Sequence, residues 1–455
     1  MNMFTVKNPF NNRSLGEFPF CSAEETDTAI ARLYVGKKKL RAIPYFQRAV
    51  ILENLGRLLA ENAEKLAQLI TSETGKTISD SRVEVRRSQN TVLCAASEAK
   101  NIKGEALHSD AYPPQRNRVG IVQLFPLGTV LAITPFNFPL NIAMHKIGPA
   151  FAAGNAILFK PSPQNYLSAK EILRLCYEAG ISEDVLQMCV PDVEVMNKIV
   201  ADPRIDCINF TGGTKVAKAI AKNAGFKKLL FELGGNDPLI VMDDADIDLA
   251  VKTTIQQRFG TAGQRCTACK RIYVHNGIYN SYKEKLVSEA QKLQVGDPSK
   301  DDTFVGPLVN KLAADEVFSR IQKTVELGAS VLLGNKRENN IIFPTILENV
   351  TANSPVVAEE TFGPVIPLFK FSNLDTVITS INSSNYGLQS GVFTQNISVA
   401  KKLYAELEVG ALAVNDGPGF RAEHFPFGGV KDSGIGREGV YYAIREMSFH
   451  KTLIM

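Results

Sequence analysis

Three things are scarce in this chain of 455 residues: an excess of either charge, paired cysteines, and an unbroken apolar run. Lysine and arginine number 51 against 47 aspartates and glutamates, a net charge of +4, with no basic block or acidic tail. Nucleic acid is therefore not expected as a partner. The seven cysteines, at 21, 94, 176, 189, 207, 266 and 269, are odd in number and scattered, which is not a disulfide framework. The opening "MNMFTVKNPFNNRSLGEF" has neither a basic segment leading into an apolar one nor an Arg-rich amphipathic pattern. A cytoplasmic location with reduced thiols is the expectation. Residues 128–159 are apolar enough to raise a membrane span, but Pro135, Pro139 and Pro149, with Asn137, Asn141 and Asn155, interrupt the run. It reads as two buried strands around a helix, with no membrane association.

Composition is otherwise that of an ordinary soluble protein, 45% apolar and 22% charged, and the length predicts two or three packed domains. Residues 46–70 carry apolar side chains at helical spacing and predict one surface helix. From about residue 120, short apolar runs ("VLAIT", "AILFK", "CINF", "LLFEL", "LIVM") alternate with helical stretches, the pattern of βαβ units on a parallel sheet. A second α/β series, "KRIYVH", "YNSYKEKLVSEAQKL", "ASVLLG", "PVIPLFKF" and "ALAVN", follows residue 266, so two α/β domains with a cleft between them are expected. An open α/β sheet binds its ligand beyond the carboxyl ends of its strands. That directs attention to Asn137, Lys160, Thr211-Gly212-Gly213 and Glu232.

Several apparent motifs fail on chemistry. "ETGKT" (73–77) has Ile70 where a phosphate-binding loop needs glycine. "GIGREG" (434–439) spells a dinucleotide fingerprint but follows polar "VKDS" instead of a buried strand, and reads as a glycine-rich loop. "DDADIDLA" (243–250) lacks the glycine and glutamate of a calcium loop and reads as a helix N-terminus. Cys266 and Cys269 have CxxC spacing without a second pair, so no metal site is expected. Cys269 reads as a packing residue, with a redox role for the pair as the alternative.

Cys266, in "GQRCTA", has a different set of companions. A nucleophilic thiol needs a donor for the oxyanion it creates and a base if its adduct is to be hydrolysed. Asn137, between two prolines in "TPFNFP", offers an amide; Glu232, in "FELGG", offers a carboxylate at a strand end. Taken singly, Asn137 is equally a turn former, and a strand-end glutamate such as Glu232 is usually a surface charge.

Together with "KPSP", "FTGGT", "EETFGPV", "YGL" and "PFGGVKDSGIGREG", in this order and spacing, the chain resembles the aldehyde dehydrogenases almost from end to end. The resemblance implies a Rossmann-like NAD(P)-binding domain (1–103 and 123–234), an α/β catalytic domain (235–430), and a small β oligomerisation arm (104–122 and 431–455) serving a homodimer or homotetramer. It further implies Cys266 as nucleophile, Asn137 with the Cys266 backbone N–H as oxyanion donors, and Glu232 as general base. For NAD or NADP it implies contacts from Pro135, Phe136, Lys160, Ser162, Pro163, Phe210, Thr211, Gly212, Gly213, Leu233, Gly234, Glu360 and Phe362. The expected reaction oxidises a small aldehyde through a thiohemiacetal and a thioester. CoA-acylating relatives typically lack the glutamate present as Glu232, which favours hydrolysis; intact Cys266, Glu232 and Asn137 argue against a non-catalytic scaffold.

Three departures from the family pattern matter. Pro163 stands where many NAD-preferring relatives carry a glutamate, so NADP is not excluded by charge. Gly213 replaces the usual serine of "FTGS". Arg265, directly before the nucleophile, matches relatives whose aldehydes bear phosphate, phosphonate or carboxylate, its alternative being a structural ion pair. Thr267 beside the nucleophile and His145 in "AMHK" join Arg265 as substrate-side candidates, with Arg86 or Arg87 as a second cation. The closest likeness within the family is to phosphonoacetaldehyde and non-phosphorylating glyceraldehyde-3-phosphate dehydrogenases, with lactaldehyde and succinate or malonate semialdehyde as alternative substrates.

Overall fold

The computed structural model describes residues 2–113 and 117–455. Met1 and residues 114–116, the latter within the expected arm segment 104–122, lie outside them. Strands Thr129–Ile133, Ala156–Lys160, Leu186–Met188, Cys207–Thr211 and Lys228–Glu232 form a parallel sheet, and Gly434–Ile435 adds an antiparallel edge strand beside Lys228–Glu232. Thr129–Ile133 lies between Ala156–Lys160 on one side and Cys207–Thr211 on the other, so the winding reverses at this strand. A crevice opens there, beyond the carboxyl ends of Thr129–Ile133 and Cys207–Thr211. Both strands are buried at all five positions, because apolar clusters cover the two faces of the sheet. Their sequences are continuous apolar runs instead of alternating ones for that reason. The helix Pro139–Ala153 between the first two strands is buried along its whole length; it starts at a proline and ends at Gly154, which takes φ 98°.

The other sheet runs Ser330–Leu333, Thr345–Glu348, Val365–Phe371, Arg271–His275, Pro238–Val241, Gln389–Phe393, Ala411–Val414, parallel except at the first strand. Here the structure corrects the grouping of apolar runs by pattern, in favour of the bounds 235–430 that the family resemblance implies. "LIVM" belongs to this sheet, pairing with Arg271–His275 and Gln389–Phe393. An apolar run says that a strand is buried but not which sheet it joins. The helix expected over 46–70 is also two helices, Tyr45–Glu61 and Ala63–Thr74. Asn62 separates them, with its amide donating to the Leu58 carbonyl at 2.8 Å in competition with the helix backbone. Both lie at the surface with one face inward: Leu52, Leu55, Leu59, Leu66 and Ile70 are wholly buried, while the opposite face, Phe46 and Val50 included, is exposed.

Glu105–His108, Val119–Pro126 and Ser448–Ile454 form a separate antiparallel sheet. Of the segment 431–455, only Ser448–Ile454 takes part in it. Gly434–Ile435, the start of "GIGREG", is a short edge strand of the first sheet and not a loop. The helix Val440–Glu446 packs against Pro139–Ala153. "DDADIDLA" does open a helix: Asp246 caps Ile247–Phe259 by accepting from the Leu249 N–H at 3.0 Å.

Between that helix and Cys266 the chain passes through Gly260–Gly263, where Thr261 (φ 54°), Ala262 (φ 51°) and Gly263 (φ 71°) are consecutive left-handed residues. For residues with a Cβ this costs roughly 1–2 kcal/mol each. Asp80, in the first turn of the helix Ile78–Lys100, holds the turn in place. One of its carboxylate oxygens, Oδ2, accepts the Thr261 N–H at 2.8 Å and the Thr261 hydroxyl at 3.1 Å. Gly263 also touches the backbone of Gly363, so that a Cβ on Gly263 would stand 2.3 Å from the Gly363 carbonyl oxygen. Replacing Asp80→Ala is expected to cost about 2–4 kcal/mol of stability through loss of two charge-assisted hydrogen bonds. Asp80→Asn, which keeps an acceptor, costs less; urea unfolding of the two variants measures the difference.

Candidate active site

The crevice holds a cavity of about 450 Å³. Pro135, Phe136 and Asn137 line it from the end of one strand, and Thr211, Gly212 and Gly213 from the end of its neighbour. Glu232, Leu233 and Gly234 form the next part of the wall, and Cys266 reaches it from the left-handed turn. Glu360 and Phe362 close it from the side of the other sheet. Most of the predicted cofactor residues are thus brought together, but not all. Lys160, Ser162 and Pro163 stand outside this lining at the end of Ala156–Lys160, where burial lowers the Lys160 pKa. Phe210 lies beneath the wall, buried edge-on against Phe231 with ring centroids 5.8 Å apart, and a Cβ on Gly212 would meet its ring at 2.5 Å.

The cavity suits a dinucleotide. A Cβ on Gly213 would have nothing within 4 Å, so the backbone faces open space as it enters the helix Thr214–Asn223. Bare N–H groups at a helix start are where a pyrophosphate is held. Sequence reasoning missed Tyr386, Glu359 and Arg320 as lining residues. The first two stand in "YGL" and "EETFGPV", motifs already visible. Arg320 comes from the helix Lys311–Glu326, whose ordinary amphipathic sequence gives no signal.

Cys266 is half-buried and free. Its thiol pKa is pushed well above the ordinary value, first by burial and then by the charge of Glu232, while Lys270 pulls the other way. Glu232 is buried, and its own pKa is raised by burial and then by Glu438, against Arg421, the Cys266 thiol and Lys146. Its Oε1 has no hydrogen-bond partner among the described residues. Burial would raise Glu438 too, but Lys146 at 3.0 Å and Arg421 at 2.9 Å hold it well below the carboxylate range. Asn137 donates through Nδ2 to the Gln264 carbonyl at 2.9 Å, which fixes its amide two residues before the thiol. A primary amide has a second hydrogen to donate. Cys269 is wholly buried with its pKa pushed up to about 12 by burial, and its thiol is 3.7 Å from Gln257 Oε1.

A second group of charges lies beside the thiol. Arg265 is half-buried; its guanidinium stands 5.7 Å from the Phe138 ring centroid, and it makes no side-chain hydrogen bond or ion pair among the described residues. Burial lowers its pKa; Asp80 opposes that shift and Arg87 adds to it. Arg87 donates to Glu423 at 3.1 Å and leaves its Nη2 unpartnered, whereas Arg86 is exposed. His145 is fully buried, with Nε2 2.7 Å from the other Glu423 oxygen and 3.4 Å from Thr91. None of Arg265, His145 and Thr267 lines the cavity, and His145 and Thr267 are buried. Glu423, which burial alone would raise, is held at about 2 by His145 and the two arginines Arg87 and Arg421. Neither Arg421 nor Glu423 carried any signal in the sequence beyond the motif "PFGG" that follows them.

The profile of the aldehyde dehydrogenase family matches residues 1–453. The chain is 55% identical over 454 residues, covering 100% of each chain, to a sulfoacetaldehyde dehydrogenase of Neptuniibacter caesariensis. It is 37% identical over 451 residues to a 3-sulfolactaldehyde dehydrogenase of Priestia aryabhattai, covering 99% of this chain and 94% of the relative. Among solved structures it matches the glyceraldehyde-3-phosphate dehydrogenase GapN of Methanocaldococcus jannaschii complexed with NADP, at a TM-score of 0.95 and 38% identity over 99% of this chain and 98% of that one. With its dinucleotide crevice and a thiol set beside a buried carboxyl group, this chain belongs to the aldehyde dehydrogenase family, oxidoreductases that act on aldehydes with NAD or NADP.

Proposed function

We propose that this enzyme oxidises a short aldehyde carrying a strong anion at its far end, a sulfonate above all, and releases the product by hydrolysis. One observation carries the reading. A guanidinium directly beside the nucleophile, Arg265, is partly desolvated and has no protein partner among the described residues, whereas neighbouring Arg87 and Arg421 are each paired with a carboxylate. Such a group is costly to leave unpaired and suits an anionic substrate. A sulfonate is ionised at every working pH, and its oxygens suit the forked donors of Arg265. The similarity to the sulfoacetaldehyde and 3-sulfolactaldehyde dehydrogenases supports the same choice.

In this reading the Cys266 thiolate attacks the aldehyde carbon. The Asn137 amide and the Cys266 backbone N–H hold the resulting oxyanion. NAD or NADP, when bound, accepts the hydride. Thr211, Gly212 and Gly213 would hold its pyrophosphate, Glu360 and Phe362 its nicotinamide riboside, and Lys160, Ser162 and Pro163 its adenosine ribose. Glu232 then takes a proton from the water that attacks the Cys266 thioester, and water, not CoA, is the acyl acceptor. Pro163 places no negative charge against a 2′-phosphate, so both cofactors are accommodated.

Assembly as a homo-oligomer belongs to the same proposal. The sheet of Glu105–His108, Val119–Pro126 and Ser448–Ile454 exposes Leu107, Phe449, Leu453 and Ile454, an apolar surface that a second copy would cover. The seven unpaired cysteines favour a reducing, cytoplasmic setting.

Two measurements test the chemistry. Burial and Glu438 raise the Glu232 pKa, so its base form grows as pH rises above the usual carboxylate range, and thioester hydrolysis should accelerate along that rise. Glu232→Gln is expected to abolish this limb and slow hydrolysis by about 10²–10⁴-fold, leaving a burst of reduced cofactor followed by a stall. Equal slowing of burst and steady state would instead make Glu232 structural. For the substrate, Arg265→Leu should lower kcat/KM for sulfoacetaldehyde by about ten- to a hundredfold and that for propanal much less. Uniform loss with both aldehydes would reduce Arg265 to a residue that positions Cys266, and the anionic substrate would lose its support.

A further inference from the structure

Lys270 is wholly buried four residues after the nucleophile. A buried ammonium is costly unless its donors are used, and two of its partners are visible. Its Nζ donates to the backbone carbonyl of Cys266 itself and pairs with Glu360 Oε1 at 3.1 Å. The same Glu360 oxygen accepts the Gly235 N–H at 3.1 Å. Below them lies Asp237, whose carbonyl accepts the Lys270 N–H at 2.8 Å and whose Oδ2 has no partner among the described residues.

These two partners differ in freedom. Glu360 lines the cavity and keeps 18% of its side chain exposed, so it can turn to another partner; the Cys266 carbonyl and Lys270 cannot leave. Backbone contact joins the two loops as well, through Gly263 and Gly363. We infer that Lys270 is a positioning residue that ties the nucleophile's carbonyl to the Glu360 carboxylate, so that whatever draws Glu360 away from Lys270 makes the Cys266 thiol more reactive. While Glu360 sits on Lys270 the ammonium is neutralised. Once Glu360 turns to ribose hydroxyls, an assignment taken from the function proposed above, the ammonium's field falls on the thiol with Asp237 as its remaining acid. The charged groups acting on Cys266 are Glu232 and Asp237, which raise its pKa, and Lys270 and Arg265, which oppose them.

The test follows the pH profile of Cys266 alkylation by iodoacetamide, located by peptide mass, in the full-length cofactor-free enzyme. An opposite charge a few ångströms away shifts a pKa by about 1–3 units. Lys270→Gln, which keeps a donor but loses the charge, should slow alkylation near neutral pH by about tenfold or more. Glu360→Gln, a substitution at the cavity wall that leaves the buried lysine in place, should speed it by about tenfold. The double variant should match Lys270→Gln alone, because Glu360 has no effect without Lys270. An unchanged profile in Lys270→Gln, or the same acceleration by Glu360→Gln with and without Lys270, overturns the inference. If Lys270→Gln does not fold, Glu360→Gln decides it alone, since an unchanged or slower alkylation there contradicts the tie. Equilibrium binding of NAD and NADP to Glu360→Gln is read separately: unchanged affinity defeats the ribose assignment, while the cofactor-free profiles still decide the role of Lys270.

Discussion

The left-handed turn at Thr261–Gly263 is the constraint on which the centre of this molecule depends. Three consecutive residues in that conformation bring the chain off the helix Ile247–Phe259 and point Cys266 into the crevice, and two of them carry a Cβ. The chain would not stay there unaided. A carboxylate from a distant helix, Asp80, holds Thr261; the Gln264 side chain accepts from the Val309 N–H at 3.0 Å; and Asn137 binds the Gln264 carbonyl. The residue expected to meet the oxyanion is therefore also one that fixes the nucleophile's approach.

Around that turn the protein buries more charge than a core usually tolerates, and it does so in balanced groups. Glu438 sits between Lys146 and Arg421, Glu423 between Arg87 and His145, and Glu84 beside Lys76. Each pair limits the desolvation penalty that either ion would meet alone. Not every group is completed in this way. Arg265, directly before the nucleophile, has no side-chain hydrogen bond or ion pair among the described residues, and Glu232 and Asp237 each keep one idle carboxyl oxygen. An unpaired cation and an idle carboxyl oxygen at the nucleophile are groups that a substrate and a water molecule can complete.

Much of this was legible in the residues. Strand runs buried on both faces have no polar side to obscure them, so the two α/β series and the strand-end positions of Asn137 and Glu232 could be read directly. Sheet membership could not, because "LIVM" looks the same in either sheet. Asn62 hid the break between two helices, since a single polar residue leaves the apolar spacing on both sides intact. Charge partners were the least visible feature. Lys270, Arg421 and Glu423 come from segments remote from one another, and only the fold brings their charges together. His145, expected on the substrate side, is wholly buried with its Nε2 on Glu423, a contact that its motif did not reveal.

The contact between Gly263 and Gly363 has a consequence for heredity. A hundred residues separate the two positions in the chain, yet a methyl group on Gly263 has no room while the Gly363 loop stays where it is, and one on Gly363 would run into the Val317 side chain. Exchanging blocks of sequence between homologues, by natural recombination or in a shuffled library, would often place the two loops in different parents. Crossovers between them should yield working chimaeras only when both parents keep the same bare backbone at this junction, so the pair marks a block that is inherited whole.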